Sequence, residues 1–242
     1  MSTILLGSLV IFAGSLLQGA IGFGFSMVAV PFLVLLLPGT IMTPVMVLLC
    51  VALNLMATLK SREHLRLSGI VLPLLSGGVL GIPGGILLLK VVDATVFKLC
   101  VGGVVLLLSL LLMAEWKRPV SHQTAGLLPV GLASGLLNGS LALSGPPAIL
   151  FLSNQELPRD QFRANLLCYF FFLNCFTALS FVLSGMVGMT VLRFSLAYTP
   201  AMLAGTIAGM LLADRIPEKL FRTITLWVVG GMGLWLVVST LF

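Results

Sequence analysis

The sequence predicts an all-α integral membrane protein, built as two inverted repeats of five hydrophobic segments each. Eight of the segments are expected as long transmembrane helices and two as short or re-entrant ones. Three observations carry this prediction. Of 242 residues, 59% are hydrophobic and 8% charged, whereas a soluble domain carries roughly 25% charged residues. Apolar stretches of spanning length follow one another along the whole chain, interrupted only near 60–69, 115–124, 154–163 and 213–222. Finally, glycine, proline, asparagine and basic landmarks of the first half return in order in the second.

About twenty apolar residues span a bilayer. The apolar segments fall near 4–21, 24–37, 41–59, 69–89, 94–114, 125–142, 145–153, 164–184, 191–212 and 223–241. The second and seventh are short. Residues 145–153 extend only about 14 Å as a helix, roughly half the hydrocarbon thickness, and are read as one arm of a re-entrant hairpin. Residues 24–37, about 21 Å long, fit either a deep hairpin or a thin crossing. The N-terminus, MSTILLGSLVIF, lacks the basic region of a signal peptide and is read as retained.

Sliding the chain by 120 residues aligns Gln18 with Asn138, Gly19 with Gly139, Pro38 with Pro158 and Asn54 with Asn174. At a shift of 124, Gly81 meets Gly205, Gly85 meets Gly209, Phe97 meets Phe221 and Lys98 meets Arg222. Leucines match by chance in any such chain, but these residue types do not easily do so in order. The reading is a duplication, with a first repeat over 1–118 and a second over 119–242.

Charge chooses the topology. If each short segment joins its neighbour in one broken crossing, the basic residues divide six against seven. If each pair instead goes in and comes back, Lys60, Arg62, Arg66, Lys117, Arg118, Arg159, Arg163, Arg215, Lys219 and Arg222 share one side, opposite Lys90, Lys98 and Arg193. Ten against three is the bias of the positive-inside rule. The second arrangement gives the halves opposite orientation and leaves both termini outside. Inverted repeats are a recurrent plan of secondary transporters, with the substrate site where the halves meet near the midplane. The net charge of +6 thus reports orientation, not nucleic-acid binding.

The candidate site lies at two breaks. LLQGAIGFGFSM (16–27) and LLNGSLALSGPPAIL (136–150) occupy equivalent places in the two halves. Glycine inside a helix costs about 1 kcal/mol relative to alanine, and lipid offers nothing to loosened backbone. Such a break must pack against protein or line a polar cavity. Ser144 and Gly145 suit an N-cap and Pro146 and Pro147 the first helical turn, so a helix restarts there, and another near Gly24 to Ser26. Helix N-termini present unpaired N–H groups and about half a positive charge. Two of them converging would hold an anion without a buried lysine or arginine. The candidate substrate-binding residues are Gln18, Gly22, Phe23, Gly24, Ser26, Asn54, Asn138, Ser140, Ser144, Gly145, Pro146 and Asn174.

Other features weigh differently. GIPGG (81–85) and GTIAG (205–209) read as close helix packing. Thr58, Asn165 and Cys168 are weaker pathway candidates. Arg193 is read as snorkelling to the outer interface. Arg163, opening FRANLL, sits at the inner mouth, where it either attracts anions or serves topology. The aromatic run 169–172 is read as lipid-facing bulk. Cys50, Cys100, Cys168 and Cys175 lie in apolar segments without metal or redox spacing, and His64 and His122 are solitary loop residues.

The paired breaks, the FRANLL that follows the second and the LSG after the basic loop KSREHLR together resemble the TauE/SafE family of sulfite and organosulfonate exporter-like permeases. The resemblance covers nearly the whole chain and implies transport of small sulfur-containing anions. The family's breaks are commonly richer in glycine. Phe25 and Ser144 depart from that pattern, which implies a ligand differing in size or type.

The expected function is a secondary transporter or facilitator of a small anion, sulfite or an organosulfonate, bound at the midplane. The alternative is an anion channel-like pore. No enzyme is expected: there is no triad, paired carboxylate set or HExxH, no P-loop, and no cofactor or metal. No acidic residue lies clearly within a segment, which argues against a carboxylate proton relay. The expected partners are the anion and the lipid bilayer of a bacterial inner membrane. A homodimer is compatible with the sequence, which does not decide oligomeric state, coupling ion or direction.

Overall fold

A computed structural model describes residues 2–60, 63, 70–113, 123–153, 158–212 and 218–241. His64, His122, most of the basic loop at 60–69 and the proposed boundary at 118/119 lie outside them. The described residues form α-helices in the order α1 (Ser2–Ile21), α2 (Phe25–Leu33), α3 (Gly39–Lys60), α4 (Val71–Val91), α5 (Ala94–Met113), α6 (Gln123–Leu141), α7 (Gly145–Ser153), α8 (Arg159–Leu183), α9 (Met189–Leu212) and α10 (Glu218–Leu241).

Six of these, α1, α3, α4, α5, α8 and α9, are long and apolar enough to cross a membrane. The shorter apolar stretches Gly126–Leu141 and Leu226–Leu241 lie within α6 and α10. Both short helices have nine residues, about 14 Å of rise, too little to cross. Segment 24–37 therefore does not cross as one helix. It ends at Leu33, where the Val34 N–H is shared between the carbonyls of Val30 and Phe32 and the chain turns toward Pro38.

Side chains are distributed as a lipid solvent demands. Along α4, Leu72, Leu80 and Leu87 are exposed while Gly77, Gly81 and Gly85 are buried. Buried polar residues, among them Gln18, Thr43, Asn54, Asn138, Asn174 and Thr177, lie inside. Hydrocarbon holds leucine as well as protein does, so close backbone packing and interhelical hydrogen bonds must join the helices.

The closest pairing is α4 on α6, then α1 on α9, α5 on α10 and α3 on α8. If the first five helices are exchanged with the last five in order, α4–α6 becomes α9–α1, and the other two pairs map onto themselves. The contacts repeat at residue level too. A Cβ on Gly81 would strike the carbonyl of Leu132 and one on Gly85 that of Leu136. A Cβ on Gly205 would strike the carbonyl of Phe12 and one on Gly209 that of Leu16. Phe12 and Leu132, like Leu16 and Leu136, stand 120 residues apart. GIPGG and GTIAG thus serve packing, as their spacing suggested.

Candidate functional site

At the first break α1 ends on Ile21 and the chain turns through Gly22, at φ 99°, whose N–H donates to the Gln18 carbonyl at 2.7 Å. Gly24 caps α2 at φ 110° and ψ −9°. The Gln18 side chain holds this geometry from two directions. Its Oε1 accepts the Phe25 N–H at 3.2 Å, and its Nε2 donates to Asn54 Oδ1 at 2.6 Å.

The second break follows the same plan with different chemistry. Ala142, at φ 56°, donates its N–H to the Asn138 carbonyl at 3.0 Å. Asn138 Nδ2 donates to Asn174 Oδ1 at 3.2 Å and to Thr177 Oγ1 at 2.9 Å. Gln18–Asn54 and Asn138–Asn174 are both 36 residues apart in sequence. Asparagine is one methylene shorter than glutamine, and the restarted helix is not held by Asn138: its buried Oδ1 has no hydrogen-bond partner.

Both breaks line one cavity of about 20 Å³. The first half supplies Gln18, Gly24, Ser26, Met27, Cys50 and Asn54, and the second Leu143, Ser144, Gly145, Ile149, Phe170 and Asn174. Gly24 and Ser144, Cys50 and Phe170, and Asn54 and Asn174 are pairs related by the shift of 120. No charged side chain lines it among the described residues. The volume holds about one water-sized sphere.

The two helix starts differ as donors. In α2 the Phe25 N–H is taken by Gln18, and helix geometry leaves those of Ser26 and Met27 without an intrahelical acceptor. In α7, positions 146 and 147 are proline and carry no N–H, so Gly145 supplies the only first-turn donor. The partial positive charge of each helix start remains. Hydroxyls add to it: Ser26 Oγ lies 3.5 Å from Cys50 Sγ, and Ser144 borders the cavity while its carbonyl accepts from Ser134 Oγ at 2.5 Å.

Gln18, Gly24, Ser26, Asn54, Ser144, Gly145 and Asn174 are thus brought together around the cavity. Gly22 lies under the stem of Arg163, and Phe23 packs against apolar neighbours. Asn138 is buried behind Asn174. Ser140 donates to the Leu136 carbonyl at 2.7 Å and lines a separate cavity of about 150 Å³ between α4, α5 and α6, otherwise apolar. Pro146 is the second residue of α7. Sequence reasoning missed Cys50, Met27, Leu143, Ile149 and Phe170. Its reading of 169–172 as lipid-facing bulk is corrected for Tyr169 and Phe170, which are buried. The shift of 120 sets Cys50 opposite Phe170, and that signal could have found both.

The family model for the sulfite exporter TauE/SafE matches residues 6–236. The chain belongs to the TauE/SafE sulfite exporter family. No curated protein and no solved structure matches it. The TauE/SafE match contains both breaks and every residue lining the polar cavity, and its apolar helices make this TauE/SafE protein a multi-pass membrane protein.

Proposed function

We propose that the chain is a secondary transporter or facilitator of a small anion, sulfite or an organosulfonate, bound between the two breaks. The observation that carries this reading is one cavity lined equally by both halves, with two helix starts and uncharged donors facing it. Positive ends of helix dipoles stabilise an anion without the desolvation cost of a buried cation. The family description points the same way.

The chain is further proposed to be two inverted repeats of five segments, divided near 118/119, each making three crossings plus a hairpin in which its first long helix goes in and the short helix, α2 or α7, comes back. The hydrogen bonds support this. Gln18, at the end of α1, bonds Asn54 late in α3, and Gly19 bonds Arg163 early in α8. At the end of α6, Asn138 bonds Asn174 late in α8, and the Ser140 carbonyl bonds Thr43 early in α3. The two breaks therefore approach from opposite ends of an antiparallel α3–α8 pair. With the ten basic residues inside, both termini are outside, in a bacterial inner membrane. A cavity of only about 20 Å³ favours a transporter over an open pore.

The test is flux into proteoliposomes of labelled sulfite, sulfoacetate, taurine and sulfate, with and without pH and voltage gradients. Gly24→Leu and Ser144→Leu are expected to abolish flux while folded protein remains, measured by size-exclusion elution and helical circular dichroism. Normal flux in both variants would make the breaks packing features and end the site assignment.

A further inference from the structure

The shift that pairs the amides also pairs the donors of two contacts outside the cavity, whose acceptors, Gly19 and Ser140, stand 121 residues apart. Arg163 Nη2 donates to the Gly19 carbonyl at 2.8 Å, and Thr43 Oγ1 donates to the Ser140 carbonyl at 3.1 Å. Thr43 and Arg163 are each the fifth residue of their helix, α3 from Gly39 and α8 from Arg159, and stand 120 residues apart. Each reaches from one half to the last turn of the first helix of the other half. Both acceptors are terminal carbonyls, which carry the negative end of the helix dipole and have no onward turn to bond.

Position makes these contacts more than packing. Along α3, Thr43 and Asn54 are eleven residues apart, as are Arg163 and Asn174 along α8, so each pair spans about 16 Å of helix. Since α3 and α8 are antiparallel, the Arg163 contact lies level with Asn54 and the Thr43 contact level with Asn174. The cavity, bordered on these helices by Cys50, Asn54, Phe170 and Asn174, lies between them. The Arg163 contact also bears on the break itself. The Arg163 stem covers Gly22, where a Cβ would come within 2.7 Å of Arg163 Cγ.

We propose that the Arg163–Gly19 and Thr43–Ser140 contacts are the two latches of alternating access, one at each end of the cavity, and that they are deliberately unequal. Each ties one half to the other and must part for its own end to open. The Arg163 latch is charge-assisted, a class of hydrogen bond roughly twice as strong as its neutral counterpart. The protein therefore rests closed more firmly at the Arg163 end, and the Thr43 end opens first. This rests on reading the cavity as the anion's site, but its test does not require transport.

Cys50, in the cavity wall, reports access from either end. In the full chain with Cys100, Cys168 and Cys175 replaced by alanine, reconstituted in uniformly oriented liposomes, Cys50 is labelled by a membrane-impermeant maleimide applied to one side at a time. Without substrate, Arg163→Gln is expected to raise labelling from the Arg163 side about tenfold and to lower it from the other. Thr43→Val, nearly isosteric, is expected to raise labelling from the Thr43 side by a smaller factor, about threefold. Equal changes from both sides, or none, would overturn the proposal. Should the Arg163 variant not fold, Thr43→Val alone decides, since a latch must give a one-sided rise there. Sided labelling in a protein that moves none of the anions would retain the latches and reject the anion reading. Flux with no sidedness would do the reverse.

Discussion

One methylene separates Gln18 from Asn138, and it decides how each break is held. Gln18 bonds both the first N–H of its restarted helix and Asn54. Asn138 bonds only outward, to Asn174 and Thr177, and leaves a buried oxygen without a partner. Gln18→Ala strands the Phe25 N–H and Asn54 Oδ1, and is expected to cost about 1–2 kcal/mol. Asn138→Ala also removes an unsatisfied oxygen and should cost less. Thermal unfolding of the two variants in one detergent checks the order. Gly24 is more stringent still. At φ 110° a side chain is strained, and a Cβ there would approach Leu17 Cδ2 to 2.6 Å. Gly24→Ala is therefore expected to reduce anion flux at least about tenfold in the proteoliposome assay, through a displaced α2 start, with folded protein retained.

Helices meet here through what their glycines lack. Gly81 and Gly205 each let a neighbouring backbone carbonyl approach where a Cβ would stand, whereas Gly103 has nothing within 4 Å of that position. Gly81→Ala is expected to destabilise by about 1–3 kcal/mol through overpacking. Gly103→Ala should be neutral or stabilising by up to about 1 kcal/mol, because it restricts only the unfolded chain. Paired melting curves test both. The elements themselves were legible: α3, α4, α5, α7 and α9 lie where the apolar runs stood, because the length of an apolar run is written directly in composition. The end of α2 was not. An apolar run to Leu37 conceals a chain that leaves the helix at Leu33, since hydrophobicity reports burial and not which carbonyl an N–H will find.

For the whole molecule, the coupling of the halves sets the expected behaviour. On the proposed function, a donor-lined cavity of about 20 Å³ must expand around each anion, so flux should saturate with concentration, where a pore would stay linear. If a monoanion moves without a co-ion, 100 mV is worth about 2.3 kcal/mol. Clamping the membrane at that potential should then change the steady-state anion ratio about fiftyfold. A flux indifferent to voltage would require a compensating proton or counter-anion.

The sequence by itself determined the solvent, the helical class, the pairing of landmarks at a shift of 120 and the two breaks, because each depends on residue type and spacing alone. Gln18, Asn54, Ser144 and Asn174 were visible as polar residues in apolar surroundings, which lipid makes costly to place without purpose. Only the tertiary structure decided that Asn138 and Ser140 face away from the cavity, and that Arg163 and Thr43 grip opposite helix ends. Those outcomes turn on side-chain length and on which backbones the glycines admit. Which partners they meet is fixed by contacts between residues more than ninety positions apart, and no local pattern encodes it.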